Sequence, residues 1–149
     1  MRLGLAAVGR IKEPELRTLL DDYYGRIKRY AEFGEVELKD DDREDRVVAQ
    51  FTKAVSGFGP RAEVVALEVR GERLSSEGFA EKLDTFLQRS AVPVFVIGGA
   101  EGLPQGFSQA ARWRVSLGPM TLPHRLARLI VAEQLYRAFT ILRREPYNK

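Results

Sequence analysis

Short apolar runs alternate along the chain with longer stretches of helical periodicity. Leu3 to Val8 is an apolar run closed by Gly9 and predicts a first strand. Pro14 opens a helix, its fixed φ suiting a first turn, with Leu16, Leu19, Leu20, Tyr23, Ile27 and Tyr30 at helical spacing. Gly25 weakens the middle of that helix by about 1 kcal/mol relative to Ala. Val36 to Leu38 predicts a second strand. The charged run Lys39 to Arg46 predicts a solvated loop, because its Asp residues lack the alternating ligands and the Gly of a calcium loop. Val47, Val48, Phe51 and Val55 mark a short helix that Gly57 ends. Glu63 to Val69 predicts a third strand, ending at an Arg70-Gly71 turn. Ser75 or Ser76 caps the next helix, with Glu77 in its first turn and Phe79, Leu83, Phe86 and Leu87 facing the core.

At the back end of the chain two apolar runs each end in a loop rich in Gly and Pro, and no internal repeat is visible. Val94 to Ile97, with Pro93 at its start, predicts a strand running into Gly98-Gly99-Ala100-Glu101-Gly102-Leu103. Trp113 to Leu117 predicts another, running into Gly118-Pro119-Met120-Thr121-Leu122-Pro123-His124, and a helix then extends from Arg125 to about Arg144. Strands alternating with helices predict a single α/β domain over residues 1–149, with a largely parallel sheet and helices on both faces. In such sheets ligands bind at the carboxyl ends of strands, so the two Gly- and Pro-rich loops predict one shared pocket. The last helix is apolar over more than one stripe: Leu126, Leu129, Ile130 and Ala132 are joined by Val131, Leu135, Tyr136, Phe139, Ile141 and Leu142. One packed face cannot use all of these, so a symmetric dimer built on this helix is expected.

Composition narrows the chemistry. Hydrophobic residues at 44% and charged residues at 30% suit a globular protein of 149 residues with a real core. No apolar run is long enough to span a bilayer, and the amino terminus leads into a strand pattern without a signal-peptide layout. The absence of Cys excludes disulfides and thiol catalysis, and with one His a structural zinc site is not expected. A cytoplasmic protein without membrane or metal partners is the expectation. From Arg112 to Lys149 there are eight basic residues against two acidic, whereas the whole chain carries only +3, so the remainder is net acidic. Basic charge near the proposed pocket suits a polyanionic partner, although a solvated helix face would look the same.

Three motifs then carry a resemblance. Val-Ile-Gly-Gly-Ala-Glu-Gly-Leu at Val96 to Leu103, Met-Thr-Leu-Pro-His at Met120 to His124 and Ala-Glu-Gln-Leu-Tyr-Arg-Ala-Phe at Ala132 to Phe139 closely resemble the SPOUT methyltransferases. Within these the chain resembles the ribosomal RNA large subunit methyltransferase H family, the pseudouridine N3-methyltransferases. The likeness extends to Leu5-Ala6-Ala7-Val8-Gly9, to Leu67-Glu68 with Gly71 and Leu74-Ser75, and to Glu145-Pro146-Tyr147. The resemblance implies a C-terminal trefoil knot, a homodimer, S-adenosyl-L-methionine as methyl donor, and a pseudouridine of large-subunit (23S) ribosomal RNA as target, met on the assembled ribosome. Two alternatives stand beside it: a SPOUT enzyme with another RNA target, and a non-catalytic RNA- or ribosome-binding module.

The resemblance also assigns residues. Leu67, Gly98 and the loop Leu117, Gly118, Pro119, Met120, Thr121 and Leu122 are expected to hold the cofactor, with apolar walls and loop amides for the adenine. Each has a plainer reading as a turn, a stiffener or core filler. His124, the only histidine, could accept a proton near neutral pH, or could be structural at the start of the last helix or contact phosphate. Tyr147 could position the target base or face the cofactor, or be a simple stacking contact. Glu133 and Arg137 lie four apart and could be no more than a dimer-contact pair, while Arg125, Arg128, Arg143 and Arg144 are candidates for RNA phosphates. The family commonly closes with Tyr-His, but here Asn148, which cannot act as a base, follows Tyr147.

Overall fold

The computed structural model describes residues 1–148. Its elements run β1 (Arg2–Val8), α1 (Pro14–Ile27), β2 (Glu32–Leu38), α2 (Glu44–Ser56), β3 (Ala62–Arg73), α3 (Ser76–Gln88), β4 (Val92–Ile97), α4 (Gln105–Gln109), β5 (Trp113–Ser116) and α5 (His124–Leu142). The strands form one five-stranded sheet in the order β2-β1-β4-β3-β5, and every pairing between them is parallel. Alternation of side chains sorts the core into two layers. Leu3, Leu5, Phe95 and Ile97 face α1, α3 and α5, whereas Ala6, Val8, Val94 and Val96 face α2 and α4, where Phe51 stacks on Phe107 at 5.3 Å.

Several boundaries depart from the local pattern. β2 begins at Glu32 rather than Val36, because β1 offers it a continuous ladder from Arg2↔Glu32 onward. The charged loop stops at Arg43, and Glu44 and Asp45 instead form the first turn of α2, where the helix dipole favours carboxylates. Gly57 caps α2 in a right-handed conformation, and Gly59 takes the left-handed one at φ +102°. In α1 the buried face uses Tyr24, while Leu19 is 43% exposed and Tyr30 lies beyond the helix end. Pro93 falls at the second position of the central strand β4. Its nitrogen points away from β3, since the preceding Val92 N–H donates to Arg61, and pairing on the β1 side starts only at Val94.

The expected turn at Arg70-Gly71 is a bulge. Both Leu67 and Glu72 pair with Val115, so residues 68–71 rise out of the ladder and the strand resumes to Arg73. Gly71 permits this by close approach, since a Cβ there would sit 2.7 Å from the Val115 carbonyl carbon.

Candidate functional site

β4 and β5 are not neighbours in the sheet; β3 lies between them. The loops after β4 and β5 nevertheless meet over the β3 bulge, and together with the start of α5 enclose a cavity of about 550 Å³. That volume is in the range of small-molecule sites. Of the residues expected at a cofactor site, Leu67, Gly98, Leu117, Gly118, Met120, Thr121 and Leu122 line it; Pro119 belongs to the same loop but stands outside the lining. Pattern reading passed over Glu68 and Val69 of the bulge and Ala127 of α5, which also line it. Glu68 stood within the family likeness but not among the expected site residues, and no local signal marked Val69, since the bulge exists only through pairing with β5.

Each loop is shaped by its own backbone. A Cβ on Gly98 would lie 2.4 Å from the Gly102 carbonyl carbon and 2.6 Å from the Leu103 nitrogen, and Gly99 bridges Gly102. Glycine at 98 is therefore demanded by the doubling back of its own loop. Gly118, at φ +123°, adopts a conformation that L side chains rarely take. Ser116, buried at the end of β5, ties this second loop down: its Oγ lies 2.9 Å from the Val69 carbonyl oxygen and accepts from the Gly118 N–H at 3.0 Å. Among the described residues, the N–H groups of Met120, Thr121 and Leu122 donate to no protein acceptor. Free backbone donors on an apolar-walled loop fit the edge of a purine ring, so the residues present suit a nucleoside cofactor. Met120, 78% exposed, forms the lip.

His124 is the first residue of α5, lines the cavity and packs against the loop after β1, its Nε2 3.2 Å from where a Cβ of Gly9 would be. One turn on, Arg128 is fully buried and is no phosphate ligand, contrary to the expectation from sequence. Its guanidinium donates to Glu37 at 2.6 Å, to Glu35 at 3.3 Å and to the Gly9 carbonyl at 2.9 Å, which welds α5 to the ends of β1 and β2. Tyr24 donates to Glu35 at 2.5 Å, and Arg17 pairs with Glu35 at 2.9 Å. Burial alone would raise the Glu37 carboxyl, but the Ile11 N–H and the Arg128 guanidinium together hold it below its ordinary value.

Tyr147 does not reach His124 within the protomer. Its hydroxyl donates to Glu133 at 2.9 Å, its ring meets Tyr136 edge-on at 4.5 Å, and the Arg137 guanidinium stacks over it. Glu133 lies nine residues along α5 from His124, about 13 Å away along the axis. Burial, reinforced by the Glu133 hydrogen bond, pushes the Tyr147 phenol well above its ordinary value, so it stays protonated at neutral pH. Glu133 and Arg137 form the anticipated pair at 2.7 Å, and Arg137 also donates to Asn148, which in turn donates to Glu77. The tail is thus docked on α3 and α5. Of the other arginines proposed for phosphate, Arg125 is engaged by Glu13 and Arg143 lies over the Tyr30 ring at 5.5 Å.

Comparison with known proteins shows the family and the fold. Residues 1–148 match the family described as "Predicted SPOUT methyltransferase". The chain is 49% identical over 148 residues to ribosomal RNA large subunit methyltransferase H of Sorangium cellulosum, covering 99% of each chain. It is 35% identical to the protein of that name from Bacillus pumilus, covering 100% of each. Among solved structures, one described as "Probable Methyltransferase" from Bordetella pertussis superposes with a TM-score of 0.57 at 11% identity, covering 92% of this chain and 95% of that one. The SpoU methyltransferase AviRb of Streptomyces viridochromogenes, solved with its cofactor AdoMet, gives 0.51 at 12% identity over 91% of this chain and 57% of that one. At such identities the structural likeness speaks for the fold. No helix among the described residues is long and apolar enough to cross a membrane.

Proposed function

Because the chain belongs to the SPOUT methyltransferase family, and within it to ribosomal RNA large subunit methyltransferase H, we propose that it methylates N3 of a pseudouridine in 23S ribosomal RNA on the assembled ribosome, with S-adenosyl-L-methionine as donor. One observation carries the reading: two glycine-bearing loops and the β3 bulge converge on a single nucleoside-sized cavity that presents unpaired backbone donors. Leu67, Gly98 and the loop from Leu117 to Leu122 would hold the cofactor, the apolar side chains flanking the adenine and the amides of Met120 to Leu122 donating to it. Glu68, which has no ion pair or hydrogen bond among the described residues, brings a carboxylate to a site for a cationic ligand.

When bound, the cofactor supplies an electrophilic methyl group. Alignment of donor and acceptor contributes most of the rate of such a displacement. The acceptor N3–H must lose its proton as the N–C bond forms, and an imide needs only a modest base. His124, on the cavity wall with its ring free of any side-chain hydrogen bond among the described residues, is the group to take it. Tyr147, held protonated against Glu133 and outside the cavity of its own chain, does not serve as that base; a part in positioning the RNA base would need the second copy of the proposed dimer.

A homodimer through α5 belongs to the same proposal, supported by Leu126, left 47% exposed beside the site. So does the trefoil passage of the C-terminal part, which rests on the family resemblance. The experiment that tests the reading is mass spectrometry of ribosomal RNA from a strain lacking the protein, before and after treatment of its ribosomes with purified protein and S-adenosylmethionine. Appearance of N3-methylpseudouridine in 23S RNA is the expected result. Methylation of transfer RNA alone, or no methylation, would overturn it.

A further inference from the structure

The three arginines within α5 are engaged inside the protein. Arg128 is buried, Arg125 is bound to Glu13 and Arg137 to Glu133. Exposed cations without an ion pair or side-chain hydrogen bond among the described residues flank parts of the site in the chain: Arg10 and Lys12 on one side, Arg70 and Arg73 on the other. Arg10 directly follows Gly9, against which the cavity-lining His124 packs. Arg70 directly follows the cavity-lining Val69 at the crest of the bulge, and Arg73 pairs in register with Ser116 at the foot of the second loop. In the sheet order, β4, which runs into Gly98, lies between β1, whose following loop carries the first pair, and β3, which carries the second.

Both pairs stand on rigid supports. Between Arg10 and Lys12, Ile11 is buried and its N–H donates to Glu37 at 3.0 Å, which Arg128 holds from below. The bulge is tied down by Ser116 through the Val69 carbonyl. On the opposite face of the sheet, beside α2, the sign reverses: Asp40, Asp41, Asp42, Glu44 and Glu101 surround a neighbouring hollow of about 520 Å³. A polyanion crossing the mouth is attracted at both flanks and repelled from that side, which gives it one path.

We infer that Arg10 and Lys12 with Arg70 and Arg73 form a two-sided clamp for RNA phosphates. The strand is gripped on either side of the target nucleotide and runs over the α1–α5 side of the cavity mouth. The inference rests on the proposed RNA methyltransferase activity. Phosphate contacts of this kind position the chain without reading its sequence, and each adds about 0.7 to 0.9 to the slope of log affinity against log salt.

The test uses the full protein with ribosomes from a strain lacking it, comparing Arg10→Ala/Lys12→Ala and Arg70→Ala/Arg73→Ala with Lys53→Ala, an exposed site on α2. Cofactor binding by calorimetry should be unchanged in all of them, which also reports folding. Each double variant should lower kcat/KM for ribosomes about tenfold or more at physiological salt, and should reduce the steepness of its salt dependence by one to two contacts. Lys53→Ala should match the wild type. Wild-type salt dependence in both double variants, or an equal loss in Lys53→Ala, would overturn the clamp while leaving the activity in place. A wild-type protein that binds no cofactor and methylates no ribosome would instead overturn the proposed function, and the clamp with it.

Discussion

His124 and Gly98 touch the same cavity but answer to different physics, and substitutions separate them. His124→Ala removes a proton acceptor and leaves the walls standing, so kcat should fall about a hundredfold or more while cofactor affinity is kept. Gly98→Ala drives a methyl group into the backbone of Gly102 and Leu103 at 2.4 to 2.6 Å, so its loop must move. There the cofactor dissociation constant should rise at least about tenfold, with the thermal midpoint also lowered. Calorimetry beside steady-state kinetics distinguishes the two; a kinetically silent His124→Ala would remove His124 from the chemistry. Arg128 is a third case. Removing a buried guanidinium that serves two carboxylates and a carbonyl takes a donor from each and leaves Glu37 to Ile11 and Arg17 and Glu35 to Tyr24 and Arg17, and Arg128→Met should cost about 3 kcal/mol in denaturant unfolding. Lys in its place cannot donate in the fixed fork that reaches these acceptors, so Arg128→Lys should recover little.

At the scale of elements, two helices end in the same way without the expected residue. α3 closes with the Ala91 N–H donating to the Phe86 carbonyl at 3.0 Å and the Ser90 N–H to Leu87 at 3.1 Å. α5 closes likewise, with Glu145 to Thr140 at 2.8 Å and Arg144 to Ile141 at 3.1 Å. These are paired Schellman bonds, and they put Ser90 at φ 60° and Arg144 at φ 56°, where glycine is normally found. Ser90→Gly and Arg144→Gly should therefore each stabilise by about 1 kcal/mol and raise the thermal midpoint by about 3 °C. An unchanged midpoint in both would mean that the side chains recover the backbone cost. The missing glycines also explain why the carboxyl ends of α3 and α5 were poorly marked in the sequence, whereas Ser75, accepting from the Gly78 N–H at 3.0 Å, marked the start of α3.

For the whole molecule, the network of Arg128, Glu35, Glu37 and Arg17 ties α5, α1 and β2 together, so its ionisation should appear in global stability. The Glu37 carboxyl is depressed in the folded state, against an ordinary value of 4.5. The ionised form is thus favoured by folding. Its contribution is complete above that value and is lost as pH falls through the lower, folded-state value. Thermal unfolding from about pH 7 to about pH 3 should show the loss in wild type and a shallower one in Arg128→Met. Assembly is the other property at this scale. Leu126→Glu places a charge where α5 leaves an apolar side chain exposed, and if the proposed dimer forms there, light scattering should report a dimer for the wild type and a monomer for the variant. A wild-type monomer would end that part of the proposal.

The sequence by itself determined the alternation of strands and helices, the two glycine-rich loops and the motifs that mark the family, because periodicity, turn chemistry and capping act over a few neighbouring residues. It placed the loops after β4 and β5 around one cavity for the same reason, whereas Leu67 came only through the family resemblance. Tertiary structure alone decided that β3 separates β4 from β5, that residues 68–71 bulge onto the cavity rim, and that Tyr147 lies along α5 from His124. It also decided which arginines are free. Arg128 and Arg10 look alike in the chain, and only the carboxylates of β2, brought beneath α5 by pairing with β1, bury one and leave the other exposed. Long-range pairing sets the partners of a charge, and no local pattern carries that information.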